Sequence, residues 1–364
     1  MSGARSLPAL LLALVVVAAT SGCGQLNTAL GPAPSNGPIR AARLVAPTFG
    51  WALTGTHLVA TADTGTSWRD ITPTAQSAGD LAAVYFVDAT AGWSVARGTS
   101  PSLARTTDAG LSWSAAALPV APAQAVALAA SDSLHLWLLN TLSANSNSSS
   151  ADLWASVDGG LTWVKGTAPS TGELRFISPL VGFLAYRDTL SVTRDAGRTW
   201  QKVSVVVPSP WQSAKPAFDL PMFFDATSGA LSVSFTNQDA AGFAVYATRD
   251  AGTTWQLVYS VTLSKALAAY VRVPLAVADR STWIAVAPSA TDVASTQDGG
   301  ASHQTKAPTG LPEGVESLSA AGSAVWALSH WQTCSGPKEQ LVCAESWQLS
   351  RSTDRGQTWG RLTP

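Results

Sequence analysis

The sequence has few charged side chains, few cysteines and few histidines. Only 12% of its 364 residues are charged, about half the roughly 25% of an average globular protein, and 22 Lys and Arg nearly balance 23 Asp and Glu. The absence of a basic block argues against a nucleic-acid surface, which needs clustered Lys and Arg to displace counterions. Three cysteines cannot build a disulfide scaffold, and an apolar fraction of 46% excludes a disordered chain. In contrast, tryptophan is abundant, with 15 residues against nine Phe and five Tyr.

Long apolar runs are also scarce, and the longest lies at the N-terminus. After Arg5, eleven apolar residues run from Ala9 to Ala19, and small residues follow up to Cys23. This run is too short to cross ~30 Å of hydrocarbon as a helix, and its order is that of an export signal. Its end resembles the lipobox of bacterial lipoproteins, which implies cleavage before Cys23 and acylation of the Cys23 sulfur. An ordinary secretory signal with an incidental cysteine is the alternative.

These features predict three segments. Residues 1–22 form a lipoprotein signal peptide, 23–38 a flexible lipid-anchored linker rich in Pro and Gly, and 39–364 the folded part. No later segment approaches 18 consecutive apolar residues. We therefore expect the folded part to lie outside the cytoplasm, anchored by its acyl chains to a membrane of the bacterial cell envelope.

A repeated box accounts for six of the tryptophans. The pattern Ser/Thr-x-Asp-x-Gly-x-Ser/Thr-Trp occurs six times, and a seventh copy ends in His303 instead of Trp. Successive box aspartates lie 37 to 56 residues apart, and the 326 residues from Ile39 give about 47 per repeat. The sequence therefore predicts an all-β, seven-bladed β-propeller with four-stranded antiparallel blades and Asp-box turns, closed by packing of blade seven on blade one. Its seven box aspartates are Asp63, Asp108, Asp158, Asp195, Asp250, Asp298 and Asp354.

Each blade is expected to have the same order of strands. In blade two the four predicted strands cover Leu81–Val87, Gly92–Arg97, Ser102–Thr106 and Leu111–Ala117. The third strand ends in the box and the fourth begins within it.

The residue types of the box suit a tight turn and need no substrate. The Asp carboxylate can accept backbone N–H groups, the Gly supplies a positive φ, the hydroxyls satisfy local groups, and the Trp fills space between blades. An active site needs one set of catalytic residues in one place, whereas a propeller needs the same turn-stabilising contacts in every blade. We therefore interpret the seven aspartates as structural.

The boxes resemble Asp boxes, also called bacterial neuraminidase repeats, over residues 39–364. With the Gly-aromatic pairs Gly50-Trp51, Gly92-Trp93 and Gly182-Phe183, the chain most resembles the photosystem II assembly and stability factors. That resemblance implies a non-catalytic binding or assembly platform without a cofactor, and it does not imply photosynthesis here. In the photosynthetic members an arginine patch holds the client, and that patch has no residue-by-residue match in this chain.

Four residues are candidates for binding a partner. Arg194, Arg198 and Arg249 occupy variable positions of boxes four and five, and they would form an anion-binding patch if the box turns share one side of the ring. Trp211 lies in the proline-rich stretch 205–221, where it is either presented to a partner or packed on the propeller.

The remaining two cysteines are placed to form a local disulfide. Cys334 and Cys343 flank a short loop in blade seven, and outside the cytoplasm we expect them to form a disulfide.

Enzymatic functions find little support in the sequence. It contains no Gly-x-Ser-x-Gly elbow, His-Glu-x-x-His or Walker-type loop, and its four dispersed histidines argue against a His-based metal site. We expect a non-catalytic scaffold that binds a protein or another envelope component. The alternative is a carbohydrate-active propeller, either a sialidase-like hydrolase or a glycan-binding module. Three convergent arginines with a Tyr–Glu pair at the ring's axis would favour hydrolysis.

Overall fold

The computed structural model describes residues 38–97, 100–122, 125–144, 149–237, 240–263, 271–287, 293–335 and 342–364. The predicted signal peptide, most of the linker and Cys23 lie outside these ranges. Within them, no helix is long and apolar enough to cross a membrane.

Seven antiparallel sheets follow one another along the chain, each built from consecutive strands. Blade one contains β1 (Ala41–Leu44), β2 (Gly50–Leu53), β3 (Leu58–Thr61) and β4 (Arg69–Asp70). Blade two contains β5 (Leu81–Phe86), β6 (Gly92–Ala96), β7 (Ser102–Thr106) and β8 (Ser114–Ala116). Blade three contains β9 (Ala125–Ala130), β10 (Leu136–Ala144), β11 (Ser149–Ser156) and β12 (Val164–Thr167). Blade four contains β13 (Glu173–Phe176), β14 (Gly182–Tyr186), β15 (Thr189–Thr193) and β16 (Gln201–Lys202).

Blade five has an interrupted first strand and the last two blades have four strands each. Blade five contains β17 (Lys215–Phe218), β18 (Met222–Phe223), β19 (Gly229–Thr236), β20 (Ala241–Thr248) and β21 (Gln256–Thr262). Blade six contains β22 (Leu275–Val277), β23 (Trp283–Val286), β24 (Val293–Thr296) and β25 (Gln304–Lys306). Blade seven contains β26 (Val315–Ala321), β27 (Ala324–Ser335), β28 (Val342–Ser352) and β29 (Gly360–Leu362). The predicted all-β, seven-bladed propeller is confirmed.

The strands of blade two match their predicted positions except for the fourth. That strand begins at Ser114 and not at Leu111, because the residues up to Trp113 still belong to the box turn. Glycine opens β6 for a steric reason, since a Cβ on Gly92 would lie 2.6 Å from the Phe86 ring. The glycine of this Gly-aromatic pair therefore leaves room for an aromatic ring from the neighbouring strand.

The ring closes by packing between blades one and seven. The Leu44 N–H donates to the Ser319 hydroxyl at 2.9 Å, and the rings of Trp68 and Trp326 lie 5.5 Å apart. Both tryptophans belong to one buried apolar cluster drawn from the first and last blades. All four strands of blade seven come from the end of the chain, so the ring closes without strand exchange, as expected.

Each box forms a hydrogen-bonded clasp centred on its aspartate. In blade four, Asp195 accepts the Thr193 hydroxyl at 2.8 Å, the Thr199 N–H at 2.8 Å and the Thr199 hydroxyl at 2.6 Å. The same bonds recur in the other six boxes. Each aspartate thus bonds to residues on both sides of it within its own turn.

The turn requires one more left-handed residue than the sequence pattern indicates. In blade four both Ala196 (φ 65°) and Gly197 (φ 93°) have positive φ, although the left-handed conformation costs a non-glycine residue roughly 1–2 kcal/mol. The strain is offset by hydrogen bonding, since the Ala196 N–H donates to the Leu180 carbonyl at 2.9 Å.

An equivalent bond joins the box to the loop between the first and second strands in blades one to six. The box turns and these loops therefore lie together, and we call the side of the ring that they form the box face.

The box tryptophans fill the spaces between blades, as predicted. Trp113 donates to the Ile71 carbonyl of the preceding blade at 2.8 Å, and Trp163 donates to the Ala117 carbonyl at 2.6 Å. In box six, where histidine replaces the tryptophan, the exposed His303 contacts the Tyr259 ring edge-on with the ring centroids 4.4 Å apart. The imidazole is smaller than the indole that the other six boxes place at this position.

Candidate functional site

Two buried arginines lie at the same register in different blades. First strands of neighbouring blades contact one another between blades one and seven, two and three, three and four, five and six, and six and seven, which places these strands next to the ring's axis. In the first strands of blades one and four, Arg43 lies opposite Trp51 and Arg175 opposite Phe183. Tyr85 occupies this register in blade two. The repeat thus brings two guanidinium groups and a phenol to one level of the axis.

These residues belong to a larger polar group, which we call the axis cluster. It comprises Arg43, Tyr85, Glu173, Arg175, Asp219 and Arg272. The cluster draws on blades one, two, four and five and on the segment that enters blade six. Its three guanidinium groups outnumber its two carboxylates, so the ionised cluster carries one excess positive charge.

Arg175 is held by main-chain acceptors of blade five. The first strand of that blade is interrupted between β17 and β18, and Arg175 Nη1 donates to the Pro221 carbonyl at 2.7 Å and to the Leu220 carbonyl at 3.5 Å. Burial lowers the pKa of Arg175, while the carboxylates of Asp219 and Glu173 and the Tyr85 phenol oppose that shift. The break in the strand thus supplies the carbonyls that stabilise this buried cation.

Arg272 is neutralised by carboxylates from two blades. It donates directly to Glu173, and its Nη1 lies 3.7 Å from Asp219 Oδ1. Burial opposes the charge of Arg272, but these carboxylates outweigh it and raise its pKa above the ordinary value. The two acidic groups of the cluster are therefore committed mainly to Arg272.

Arg43 has no such compensation among the described residues. Its side chain is only 7% exposed, and its Nε and Nη2 atoms are buried without a hydrogen-bond partner there. Burial lowers the pKa of Arg43 well below its usual value, and the neighbouring Arg175 cation lowers it further. An unsatisfied buried donor costs about 1–3 kcal/mol, and more when the group is charged. Within the described part of the chain, Arg43 is thus a cation without a paired anion.

The axis cluster is suited to binding a carboxylate. A guanidinium presents donors in a planar fork that matches the two oxygens of a carboxylate. A single negative charge would neutralise the excess charge of the cluster and supply acceptors for Arg43. Elsewhere, among the residues that the structure describes, no group of three or more His, Cys, Asp or Glu is placed to hold a metal ion.

The composition of the cluster partly matches the hydrolase alternative. Three arginines, a tyrosine and a glutamate do gather near the axis. Their pairing differs from a Tyr–Glu couple, because the Tyr85 hydroxyl donates to the Ala130 carbonyl at 2.9 Å and Glu173 bonds to Arg272. Tyr85 is also fully buried.

Of the two alternatives for Trp211, presentation to a partner and packing on the propeller, the structure shows the packed one. The side chain is 3% exposed, stacks on Phe235 with the ring centroids 6.4 Å apart, and lies directly over Gly242. The prolines before it form a short 3-10 turn, Ser209–Trp211, which directs the indole into the core of blades four and five. The large apolar ring gains more from burial there than it would from exposure.

The three candidate arginines lie on the box face of blades four and five. Arg194 Nη2 donates to the Thr253 hydroxyl at 2.8 Å and to the Ala251 carbonyl at 3.3 Å, which links box four to box five. Arg198 and Arg249 are exposed on the same turns. The structure therefore brings these residues to one face, and their role in binding remains a prediction.

Cys334 and Cys343 form a disulfide with an S–S distance of 2.01 Å. They face each other near the end of the long hairpin formed by β27 and β28.

Sequence reasoning missed the axis cluster because its members are far apart in the chain and lie in otherwise apolar strands. One signal was available. Arg43 and Arg175 are each the last residue but one of a first strand, at a register where other blades carry alanine, such as Ala129 opposite Trp137. A charged residue at a repeat position that holds a buried alanine in other blades indicates a site.

Comparison with known proteins identifies relatives in fold only. Neither a family model nor a curated protein matches the chain. Among solved structures, "YCF48 bound to D1 peptide" is 18% identical with a TM-score of 0.55, covering 81% of this chain and 91% of that one. A streptogramin B lyase is 11% identical with a TM-score of 0.51 and the same coverage, and YCF48 from Cyanidioschyzon merolae is 15% identical with a TM-score of 0.49, covering 82% and 94%. The chain thus resembles the photosystem II assembly factor propellers in fold. Because a lyase shares this fold, the fold alone does not determine the activity.

Proposed function

We propose that this chain is a non-catalytic propeller that binds a protein partner through a carboxylate held at the axis cluster. The observation that carries the proposal is the buried guanidinium of Arg43, whose Nε and Nη2 have no hydrogen-bond partner in the described ranges. YCF48, a solved propeller of similar fold, has a D1 peptide bound, which supports a polypeptide as the ligand.

The chemistry of such binding is positioning by charge and hydrogen bonds. Arg43 would donate to the incoming carboxylate, while Arg175 and Arg272 keep their existing acceptors and provide positive potential. No proton transfer or covalent step is needed. A chain-terminal carboxylate and an Asp or Glu side chain share this chemistry, so the experiment must distinguish them.

Binding of short synthetic peptides tests the site. We expect the purified propeller to select, from a set of acidic peptides, members whose binding is lost with Arg43→Gln. Arg361→Gln, on the exposed outer strand of blade seven, is the matched control and should leave binding unchanged. Amidation of the peptide C-terminus abolishes binding if the terminal carboxylate is recognised, whereas Asp→Asn and Glu→Gln changes abolish it if a side chain is recognised. Equal binding by Arg43→Gln and the wild type would overturn the proposal.

We also propose that the propeller is tethered to the bacterial cell envelope through acylated Cys23 and the linker 23–38. The apolar run Ala9–Ala19 followed by small residues supports this location. Incorporation of an alkyne-tagged palmitate tests the anchor, and Cys23→Ser should abolish the label and release the protein from the membrane fraction. A labelled Cys23→Ser variant would contradict lipidation at this residue.

The carbohydrate-active alternative is favoured by one observation, the gathering of three arginines, Tyr85 and Glu173 near the axis. A sialidase-like enzyme would turn over a fluorogenic sialoside and lose this activity with Tyr85→Phe. We expect no turnover. Turnover that depends on Tyr85 would replace the binding proposal with hydrolysis, and binding of a sialoside without turnover would indicate a glycan-binding module.

A further inference from the structure

The box turns contain two positions whose side chains the clasp does not use. These free positions are the residue before the aspartate and the residue after the glycine, and their side chains form none of the bonds to the Asp carboxylate that recur in all seven boxes. Where the second free position holds threonine, in boxes one and five, its hydroxyl donates to the carbonyl of the box aspartate at 3.1 and 2.8 Å. In boxes one, six and seven these positions hold small or uncharged polar residues, namely Ala62, Thr66, Gln297, Ala301, Thr353 and Gln357. The turn does not fix the residue type at these positions. Large apolar or charged residues there in neighbouring blades therefore indicate a role outside the turn itself.

Neighbouring blades two to four present apolar side chains on the box face. We call Leu111, Leu134, Val157, Leu161 and Leu180 the apolar arc. Leu111, Val157 and Leu161 occupy three of the four free positions of boxes two and three, the fourth being Thr107, and they are 50%, 68% and 59% exposed.

The other two members lie in adjoining loops. The Leu134 and Leu180 carbonyls accept the N–H groups of Gly159 and Ala196 from boxes three and four at 2.8 and 2.9 Å, and both side chains are about half exposed. Four exposed leucines and one valine on the box face of three neighbouring blades are apolar surface of the kind that marks interaction sites.

The apolar arc continues into positive charge. Three of the four free positions of boxes four and five hold arginine and the fourth holds Thr253; we call Arg194, Arg198 and Arg249 the arginine arc. The bond from Arg194 to Thr253 of box five joins these two turns. Within the part of the chain that the structure describes, no carboxylate forms an ion pair with Arg198 or Arg249. The box face thus changes from apolar to cationic over adjacent blades.

We infer that the box face of blades two to five docks a protein segment that carries apolar side chains next to carboxylates. Its leucines and valines would cover the apolar arc, and its Asp or Glu side chains would pair with the arginine arc. This surface shares no residue with the axis cluster, so it is a second site and does not depend on the carboxylate proposed for Arg43.

An anionic membrane fits this surface less well than a protein. Asp108 and Asp158 lie on the same turns as Leu111 and Leu161, three residues before each leucine. Hydrogen bonds from Thr162 and Ser156 hold the pKa of Asp158 well below its ordinary range, so this turn is negatively charged at neutral pH. Carboxylates beside the apolar residues would be repelled by anionic headgroups, whereas a protein partner can place neutral or cationic groups opposite them.

Selection from a random displayed peptide library tests the inference. We expect the wild-type propeller to enrich peptides that combine Leu, Ile, Val or Phe with Asp or Glu, and Leu111→Thr with Leu161→Thr to weaken their binding about tenfold or more. Arg198→Gln with Arg249→Gln should weaken it similarly and reduce its salt dependence. Each substitution introduces a residue type that other boxes of this chain use at the same position, such as Thr66 and Gln357, so folding should be preserved.

The controls separate this surface from the axis cluster and from a membrane-binding face. Thr353→Val adds an apolar residue to box seven, outside both arcs, and should not change binding. Arg43→Gln should also leave these peptides bound, so the failure of one proposal is distinguishable from the failure of the other. Enriched peptides that lack the apolar and acidic combination, or that bind the variants equally, would overturn the inference. Leu111- and Leu161-dependent binding to phosphatidylglycerol vesicles without peptide selection would overturn it in favour of a membrane.

Discussion

Replacing Arg43 with methionine should stabilise the protein. The substitution keeps a long, flexible side chain and removes a buried cation whose Nε and Nη2 lack hydrogen bonds to the described residues. It also removes the repulsion between Arg43 and Arg175, which lowers the Arg43 pKa in the folded state. Replacing buried ionic groups by apolar ones often stabilises a protein by about 1–4 kcal/mol.

The effect on thermal unfolding can be scaled from the size of the folded part. Residues 39–364 number 326, and an unfolding entropy of about 2.1 cal/mol/K per residue gives roughly 0.7 kcal/mol/K. Each kcal/mol is therefore worth about 1.5 °C in Tm. We expect Arg43→Met to raise Tm by roughly 1.5–6 °C, measured by scanning calorimetry at pH 7.

Arg175→Met provides the matched control, because Arg175 occupies the same register in blade four. Its removal takes a donor from the Pro221 and Leu220 carbonyls, which should cost about 1–3 kcal/mol and lower Tm. The same Arg→Met substitution at equivalent positions is thus expected to raise Tm in blade one and to lower it in blade four. A Tm decrease for Arg43→Met as large as that for Arg175→Met would refute the reasoning, since it would show that Arg43 is satisfied inside the fold.

Acetate gives a second readout of the same idea. A small carboxylate that binds the folded state should raise the wild-type Tm as its concentration increases, whereas Arg43→Met should not respond. Acetamide, which has a similar shape and no charge, should affect neither protein. An acetate response that survives in Arg43→Met would place the anion elsewhere.

Three further changes test the clasps and the hairpin. His303→Trp should fill the boundary beside Tyr259 and raise Tm by about 1.5 °C; calorimetry showing a lower Tm would contradict the assigned packing. Thr199 holds the pKa of Asp195 at about 2 through hydrogen bonds from its side chain and backbone, so the clasp is fully effective above about pH 4 and weakens as the pH falls from about 4 to 2. Asp195→Asn should lower Tm at pH 7 and reduce its fall over that acidic range, and an unchanged acid profile would argue against the clasp. Reducing the Cys334–Cys343 disulfide should speed hydrogen exchange at the end of its hairpin and lower Tm by about 4 °C, because its chain-entropy contribution is about 2.5–3 kcal/mol; unchanged exchange there would contradict a local role.

The architecture could be predicted because its determinants are local and repeated. Each box places an aspartate and its hydroxyl partners within seven residues, as Thr193, Asp195 and Thr199 show, so one pattern identifies each turn without knowledge of the rest. The left-handed residue before the glycine could not be predicted in this way. Ala196 has no sequence signature for positive φ, and its conformation depends on a hydrogen bond to Leu180 in another loop.

The sites were harder to predict because they depend on contacts between blades. Arg272 meets Glu173 across 99 residues of sequence, and only the closed ring brings the two together. The sequence left the placement of Trp211 open for a related reason. Its proline-rich surroundings suggested an exposed loop, whereas the neighbouring glycine at 242 leaves space for the indole within the fold.

The positions that depart from the repeat are those that the fold does not need. At the register of Arg43 and Arg175, blades three and six carry Ala129 and Ala276, and blade seven carries Ser319. Small side chains in three blades leave room for two arginines and a tyrosine from the others. The clasps show the opposite behaviour, since every box keeps its aspartate while the two free positions vary from leucine to arginine. Stability distributed over seven local clasps allows the axis to retain an unfavourable buried charge, so selection for binding accounts better for that charge than selection for folding does.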